Sequence, residues 1–179
     1  MKKTITFLLL FLSFQIYAQC WQSISAGEYH SLAIKDDGTL WAWGRNVLYQ
    51  LGDGTEVNRN IPTQIGTANN WVKVHAGYSS SYGIKADGTL WVWGSNAAEK
   101  LGTGNTNYVI ATPTQLGSDT NWLSVSDGWN HTIALKTDGT LWAWGDNEYG
   151  QLGDNTTVDK LTPTQIGTAT NWQTIATGI

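Results

Sequence analysis

His30-Ser31-Leu32-Ala33-Ile34-Lys35-Asp36-Asp37-Gly38-Thr39-Leu40-Trp41-Ala42-Trp43-Gly44 decides the fold. Two short apolar runs are joined through Asp-Gly, where glycine supplies the positive φ that a tight hairpin turn requires. Period-two geometry sends the side chains of Trp41 and Trp43 to the same face. The block returns from Ser80 to Lys85, through Asp87-Gly88, to Thr89–Gly94. It returns again from His131 to Lys136, through Asp138-Gly139, to Thr140–Gly145.

Working outward, each hairpin is preceded by a Trp-led run. Trp21-Gln22-Ser23-Ile24-Ser25-Ala26-Gly27 is echoed by Trp71–Gly77, Trp122–Gly128 and Trp172–Gly178, at spacings of 50, 51 and 50 residues. Each hairpin is followed by Pro-Thr-Gln-Ile/Leu-Gly, starting at Pro62, Pro113 and Pro163. A leading proline suits the start of an edge strand. The one extra residue of the second copy falls between Gly102 and Pro113, which marks a loop, since an insertion in a strand would break its register. About four short strands in a period of this length make one blade of a β-propeller. The expected fold is therefore all-β: an incomplete propeller of three four-stranded blades plus the first strand of a fourth. The repeats run over about 21–70, 71–121 and 122–171, with a partial copy at 172–179. Trp21, Trp41, Trp43, Trp71, Trp91, Trp93, Trp122, Trp142, Trp144 and Trp172 hold repeat-locked positions and are assigned to the core between blades.

The N-terminus predicts export. Met1-Lys2-Lys3 is positive, Thr4 to Phe14 is almost wholly apolar, and Ala18 precedes a processing point. These are the parts of a signal peptide over residues 1–18, with the repeat region at 19–179. The apolar run is shorter than the roughly 20 residues that span a bilayer, so no membrane span is expected. Cys20 is the single cysteine and forms no internal disulfide; Gln19 before it does not fit a lipoprotein signal. The predicted product is secreted or held at the cell surface.

Charge excludes one class of partner. The chain carries a formal −4, and loss of Lys2 and Lys3 takes it to about −6. That sign opposes nucleic-acid binding, and no basic cluster offsets it. Charged residues make up 13% of the chain, against 11 tryptophans and 20 glycines, a turn-dense all-β composition.

No catalytic constellation emerges. His30 and His131 share a repeat position and read as structural hydrogen-bonding residues, and His75 reads as a strand residue. Asp37, Asp87 and Asp138 each precede Gly-Thr in a turn, where aspartate bonds the local backbone. No Cys/His spacing fits zinc, and no acidic ladder fits calcium, so neither metal nor cofactor is expected. The expected activity is non-enzymatic.

The remaining tryptophan, Trp129, lies in a variable turn after the repeated glycine. Glu28-Tyr29, Tyr78-Ser79 and Trp129-Asn130 occupy that turn in the three copies. Variation inside a fixed repeat predicts exposure, loops on rigid scaffolds carry binding residues, and aromatics are enriched at hot spots. Glu28, Tyr29, Tyr78, Ser79, Trp129 and Asn130 are therefore the predicted recognition surface. The stretches Arg45–Gln50, Ser95–Lys100 and Asp146–Gly150 are secondary candidates. A protein partner is the first expectation and a glycan the alternative.

The runs Ala26–Gly44 and Trp144–Asp154 resemble the repeat of the regulator of chromosome condensation. The resemblance covers the chain after the leader and implies a propeller, typically of seven blades. Its eukaryotic founder is a guanine-nucleotide exchange factor on chromatin. That activity belongs to loops and a basic tail not matched here, and it is not expected of an exported acidic chain. Secreted bacterial relatives, among them a propeller-type inhibitor of β-lactamase, imply loop-mediated protein binding. Three units imply further repeats in a longer chain, or chains that associate.

Overall fold

The computed structural model describes residues 20–178. The expected signal peptide lies outside the described residues. Three antiparallel four-stranded sheets follow one another: β1(Trp21–Ala26), β2(His30–Lys35), β3(Leu40–Gly44) and β4(Arg59–Gln64); β5(Trp71–Ala76), β6(Ser80–Lys85), β7(Leu90–Ser95) and β8(Val109–Gln115); β9(Trp122–Asp127), β10(His131–Lys136), β11(Leu141–Gly145) and β12(Lys160–Gln165). Each is a meander in sequence order, the blade of a β-propeller.

The hairpin sequence explains each blade locally. Gly38 donates its N–H to the Lys35 carbonyl and takes φ +77°. The Asp37 carboxylate accepts from the Thr39 N–H and hydroxyl, and the Thr39 hydroxyl accepts from the Trp41 indole at 2.9 Å. The same chain of bonds runs Asp87–Thr89–Trp91 and Asp138–Thr140–Trp142. The turn thereby fixes the indole that follows it, and Lys35, Lys85 and Lys136 lie over these indoles at 3.5–3.7 Å.

Blades join through a repeated interface. The Gly38 carbonyl accepts from the Trp71 N–H, Gly88 from Trp122 and Gly139 from Trp172. A Cβ at Gly38 would stand 2.1 Å from the Asn69 carbonyl oxygen, so only glycine lets the hairpin touch the next linker. Above this hinge, Leu32, Ile34, Leu40, Leu51 and Ile65 of the first blade bury Trp71 and Trp93 of the second. Tyr82, Ile84, Leu90, Val92, Leu101 and Leu116 then bury Trp122 and Trp144 of the third. In each blade the leading Trp packs on both hairpin indoles at about 6 Å.

Burial of the ten repeat tryptophans is uneven. Trp71, Trp93, Trp122 and Trp144 are buried. Trp41, Trp91 and Trp142 are half-buried at the blade end, and Trp43 is half-buried because no blade precedes it among the described residues. Trp21 and Trp172 are exposed, which corrects their assignment to the core. Residues 172–178 occupy the track of β5 and β9 but form no strand, since no neighbouring strand pairs with them among the described residues. Pro62 does not start its strand: β4 begins at Arg59, and the proline falls where the register slips between the Ala42–Thr63 and Gly44–Arg59 pairs. The missing N–H is tolerated at that irregularity on the outermost strand. No helix among the described residues is long and apolar enough to cross a membrane.

Candidate functional site

Meander topology places the β1–β2, β5–β6 and β9–β10 turns on the same end as the long connections after β3, β7 and β11. Backbone bonds tie them: Arg45 donates to the Tyr29 carbonyl, Ser95 to Ser79 and Asp146 to Asn130. Consecutive blades therefore bring the variable turns side by side. Tyr29 and Tyr78 meet edge-on with ring centroids 6.3 Å apart, and Tyr78 meets Trp129 at 5.5 Å with 30° between planes. The result is an aromatic strip across three blades. Trp129 is 56% and Tyr29 47% exposed, and Arg45 caps the strip with its guanidinium 5.1 Å from the Tyr29 ring centre. The Glu28 carboxylate, hydrogen-bonded to the Tyr29 phenol, raises the pKa of that phenol.

Beside the strip opens a cavity of about 410 Å³, walled by Ala26-Gly27-Glu28, His75–Tyr78, Ser126–Trp129 and Thr177-Gly178. Of the predicted surface, Glu28, Tyr78 and Trp129 line it, Tyr29 continues the strip, and Asn130 is half-buried behind. Ser79 is buried at 4%, which removes it from the surface. Its side chain is too short to clear the turn, whereas Tyr29 at the same repeat position extends into solvent. In the secondary stretches Val47 and Tyr149 are exposed, but Gln50 and Lys100 are buried and Ser95 closes β7.

Gln50 and Lys100 have a structural task. The Gln50 carbonyl accepts from the Ser81 hydroxyl and the Trp93 indole; the Lys100 carbonyl accepts from the Tyr82 and Thr132 hydroxyls and the Trp144 indole. The Lys100 side chain does something else. Its ammonium stands 3.5 Å from a carboxylate oxygen of Asp127 and donates to the Trp129 carbonyl at 3.0 Å. Asp127 also accepts from the Ser80 hydroxyl and lies 2.9 Å from His75 Nε2. Burial lowers the pKa of Lys100, and the charge of Asp127 opposes that shift.

His75, Ser80, Lys100 and Asp127 all break the repeat: the matching residues are Ser25 and Ser126, His30 and His131, Gln50 and Gln151, and Ala26 and Ala76. Four departures converge on one buried cluster under the Trp129 turn. The signal was present in the sequence as correlated breaks in the repeat, and reading His75 as an ordinary strand residue missed it. The cluster is not arranged for nucleophilic catalysis, because Ser80 gives its proton to Asp127 rather than to His75. Among the described residues no group of three His, Cys, Asp or Glu side chains is placed to hold a metal ion.

His30 follows the repeat. It is buried, its Nε2 lies 2.8 Å from the Ser81 hydroxyl of the next blade, and burial lowers its pKa to about 4.

The regulator of chromosome condensation (RCC1) repeat matches residues 37–84, 87–135 and 138–179, and a second form of it matches 21–50 and 123–151. The ultraviolet-B receptor UVR8 of Arabidopsis thaliana is 30% identical over 140 residues, 76% of this chain and 32% of the receptor. A Caenorhabditis elegans homolog of the X-linked retinitis pigmentosa GTPase regulator is 31% identical over 131 residues, 73% of this chain and 6% of that protein. Among solved structures, Prp20p of Saccharomyces cerevisiae aligns with TM-score 0.71 and 26% identity over 82% of this chain and 38% of its own. Human WBSCR16 aligns with TM-score 0.75 and 21% identity over 86% and 39%. The chain thus spans about a third of the receptor, under two fifths of each of these two structures, and a small part of the nematode homolog. Repeat, blade and inter-blade contact agree with these matches, and the chain belongs to the regulator of chromosome condensation (RCC1) repeat family.

Proposed function

We propose that the chain is a non-enzymatic protein-interaction module that binds its partner through the turn face. The observation carrying this is the strip Tyr29–Tyr78–Trp129, three aromatic rings from three blades in successive contact, with Tyr29 and Trp129 exposed and Tyr78 half-buried between them. Rigid aromatics beside a preformed cavity are the usual anchors of protein interfaces. Prp20p, a structural relative, is described by its binding properties to Gsp1p and histones, so a protein ligand is in keeping with this fold. Guanine-nucleotide exchange is not part of this proposal, and the net charge of −4 argues against a nucleic-acid partner.

The test is chemical cross-linking and capture with the native chain and with a Tyr78→Ala/Trp129→Ala double variant. The variant loses the partners that the native chain retains; equal recovery by both would remove this face from consideration. A second reading, glycan binding, draws support from the solvent-facing Trp129 ring beside a cavity that Ser126 and Thr177 help to line. Retention on a glycan array that disappears in the double variant would favour it.

Export and cell-surface or extracellular residence belong to the same proposal, resting on the positive start and apolar run of residues 1–18. The mass of the native product tests it: a mature chain beginning at Gln19 is expected. The open blade faces at both ends of the described region support either further repeats or self-association.

A further inference from the structure

We propose that the cavity beside Trp129 receives an arginine side chain from a basic segment of the partner. This inference rests on the protein-interaction reading and names the chemistry of its anchor.

Three observations converge. First, the strip already holds such a group: the Arg45 guanidinium lies 5.1 Å from the centre of Tyr29, so one end of the ladder stacks a planar cation while the other, at Trp129, is bare to solvent. Indole is the strongest cation–π acceptor, and guanidinium is planar and weakly hydrated, which suits stacking better than an ammonium does. Second, the cavity has a carboxylate at its wall. Glu28 is exposed and lines it, whereas Asp127 on the floor is fully enclosed and matched by Lys100. A guanidinium on the Trp129 face is thus offered a carboxylate that accepts from the Tyr29 phenol but is in no ion pair with a cation among the described residues, and its charge favours a charge-assisted hydrogen bond. Third, the whole end is acidic. Glu28, Glu56, Glu99, Asp146, Glu148 and Asp159 lie in its turns and connections, where Arg45 is the exposed cation; Arg59 and Lys160 are paired with Asp53 and Asp154. Such a face concentrates basic segments and speeds their encounter.

The Lys100–Asp127 cluster serves the same end. By donating to the Trp129 carbonyl, Lys100 holds the turn in place before the ligand arrives. A preset anchor loses less entropy on binding.

The test uses the full chain and three short Gly/Ser peptides that differ at one position: arginine, lysine or citrulline. Binding is followed by tryptophan fluorescence and by the indole N–H resonance of Trp129, identified with Trp129→Phe. Citrulline keeps the planar shape without the charge. The arginine peptide is expected to bind about tenfold more tightly than the citrulline peptide, with lysine between them, and to weaken as salt rises. Glu28→Gln, a change at an exposed side chain, should reduce arginine binding several-fold and leave citrulline binding unaltered.

Equal binding of arginine and citrulline, or indifference to Glu28→Gln, overturns the proposal. So does saturation of Trp129 by a neutral oligosaccharide that arginine peptide does not displace. If the Tyr78→Ala/Trp129→Ala chain still captures its partners, the interaction face itself is wrong. If capture is lost but arginine and citrulline bind alike, only the arginine assignment fails.

Discussion

A repeated residue does not contribute the same free energy in each copy. Trp144 is wholly enclosed, its indole donates to the Lys100 carbonyl at 2.8 Å, and it lies on Gly102, where a Cβ would stand 2.6 Å from the ring. Trp144→Ala should cost about 3–5 kcal/mol in urea unfolding. Trp43→Ala, at the same repeat position but with no blade before it among the described residues, should cost distinctly less; equal losses would mean that neighbour packing does not set the burial of these rings. His30 provides a pH test. Its folded pKa of about 4 lies below the ordinary value near 6.5, so between these limits the unfolded chain binds a proton that the native chain does not. Its contribution is complete above pH 6.5 and is lost as pH falls towards 4, by about 3 kcal/mol. His131, also lowered by burial, acts in the same direction. Replacing His30 by Ser, the residue at the matching position 80, should flatten this part of the stability–pH curve. An unchanged slope would show that His30 does not titrate with folding.

At the scale of the element, the hairpin was the most legible feature. Asp37-Gly38-Thr39 and its two copies encode turn, φ and the first indole bond within five residues, so neither burial nor neighbours were needed to read them. The local pattern misplaces the start of the strand holding Pro62, because that strand's extent is set by a register slip against β3. Variation within the repeat, loop position and aromatic content mark the turn face, and five of its six residues lie at or near the surface. Ser79 fails because side-chain length decides whether a turn residue emerges. The Lys100–Asp127 cluster could not be seen one position at a time: its members are 5 to 52 residues apart and meet through the inter-blade twist. Its coupling is testable. Asp127→Ala leaves the Lys100 ammonium buried without its carboxylate and should cost about 3–5 kcal/mol. Restoring the repeat residues together, as His75→Ser, Ser80→His, Lys100→Gln and Asp127→Ala, should recover much of that loss in thermal unfolding. Strict additivity of the four single effects would mean that they do not act as a unit.

For the whole molecule, the blade interface behaves as a plug and socket, and the described region carries one of each unfilled. The Trp93 plug rests on Gly52 with its N–H on the Gln50 carbonyl, and Trp144 rests on Gly102 and the Lys100 carbonyl. The matching socket of the third blade is Gln151 and Gly153, where a Cβ would find nothing nearer than Ile166 at 3.9 Å. At the other end Trp43 is half-buried and its companion Trp21 is 39% exposed. The aliphatic group awaiting such a pair is Ala143, Leu152 and Ile166, smaller than the two completed cores. Exposed apolar ends of this kind favour stacking of further units. Sedimentation of the chain over a range of concentrations should therefore show association, weakened by Trp43→Ala, which removes the plug. Concentration-independent monomers that unfold cooperatively, with the Trp43 indole N–H exchanging freely with solvent, would show that a three-blade arc is stable with its ends open.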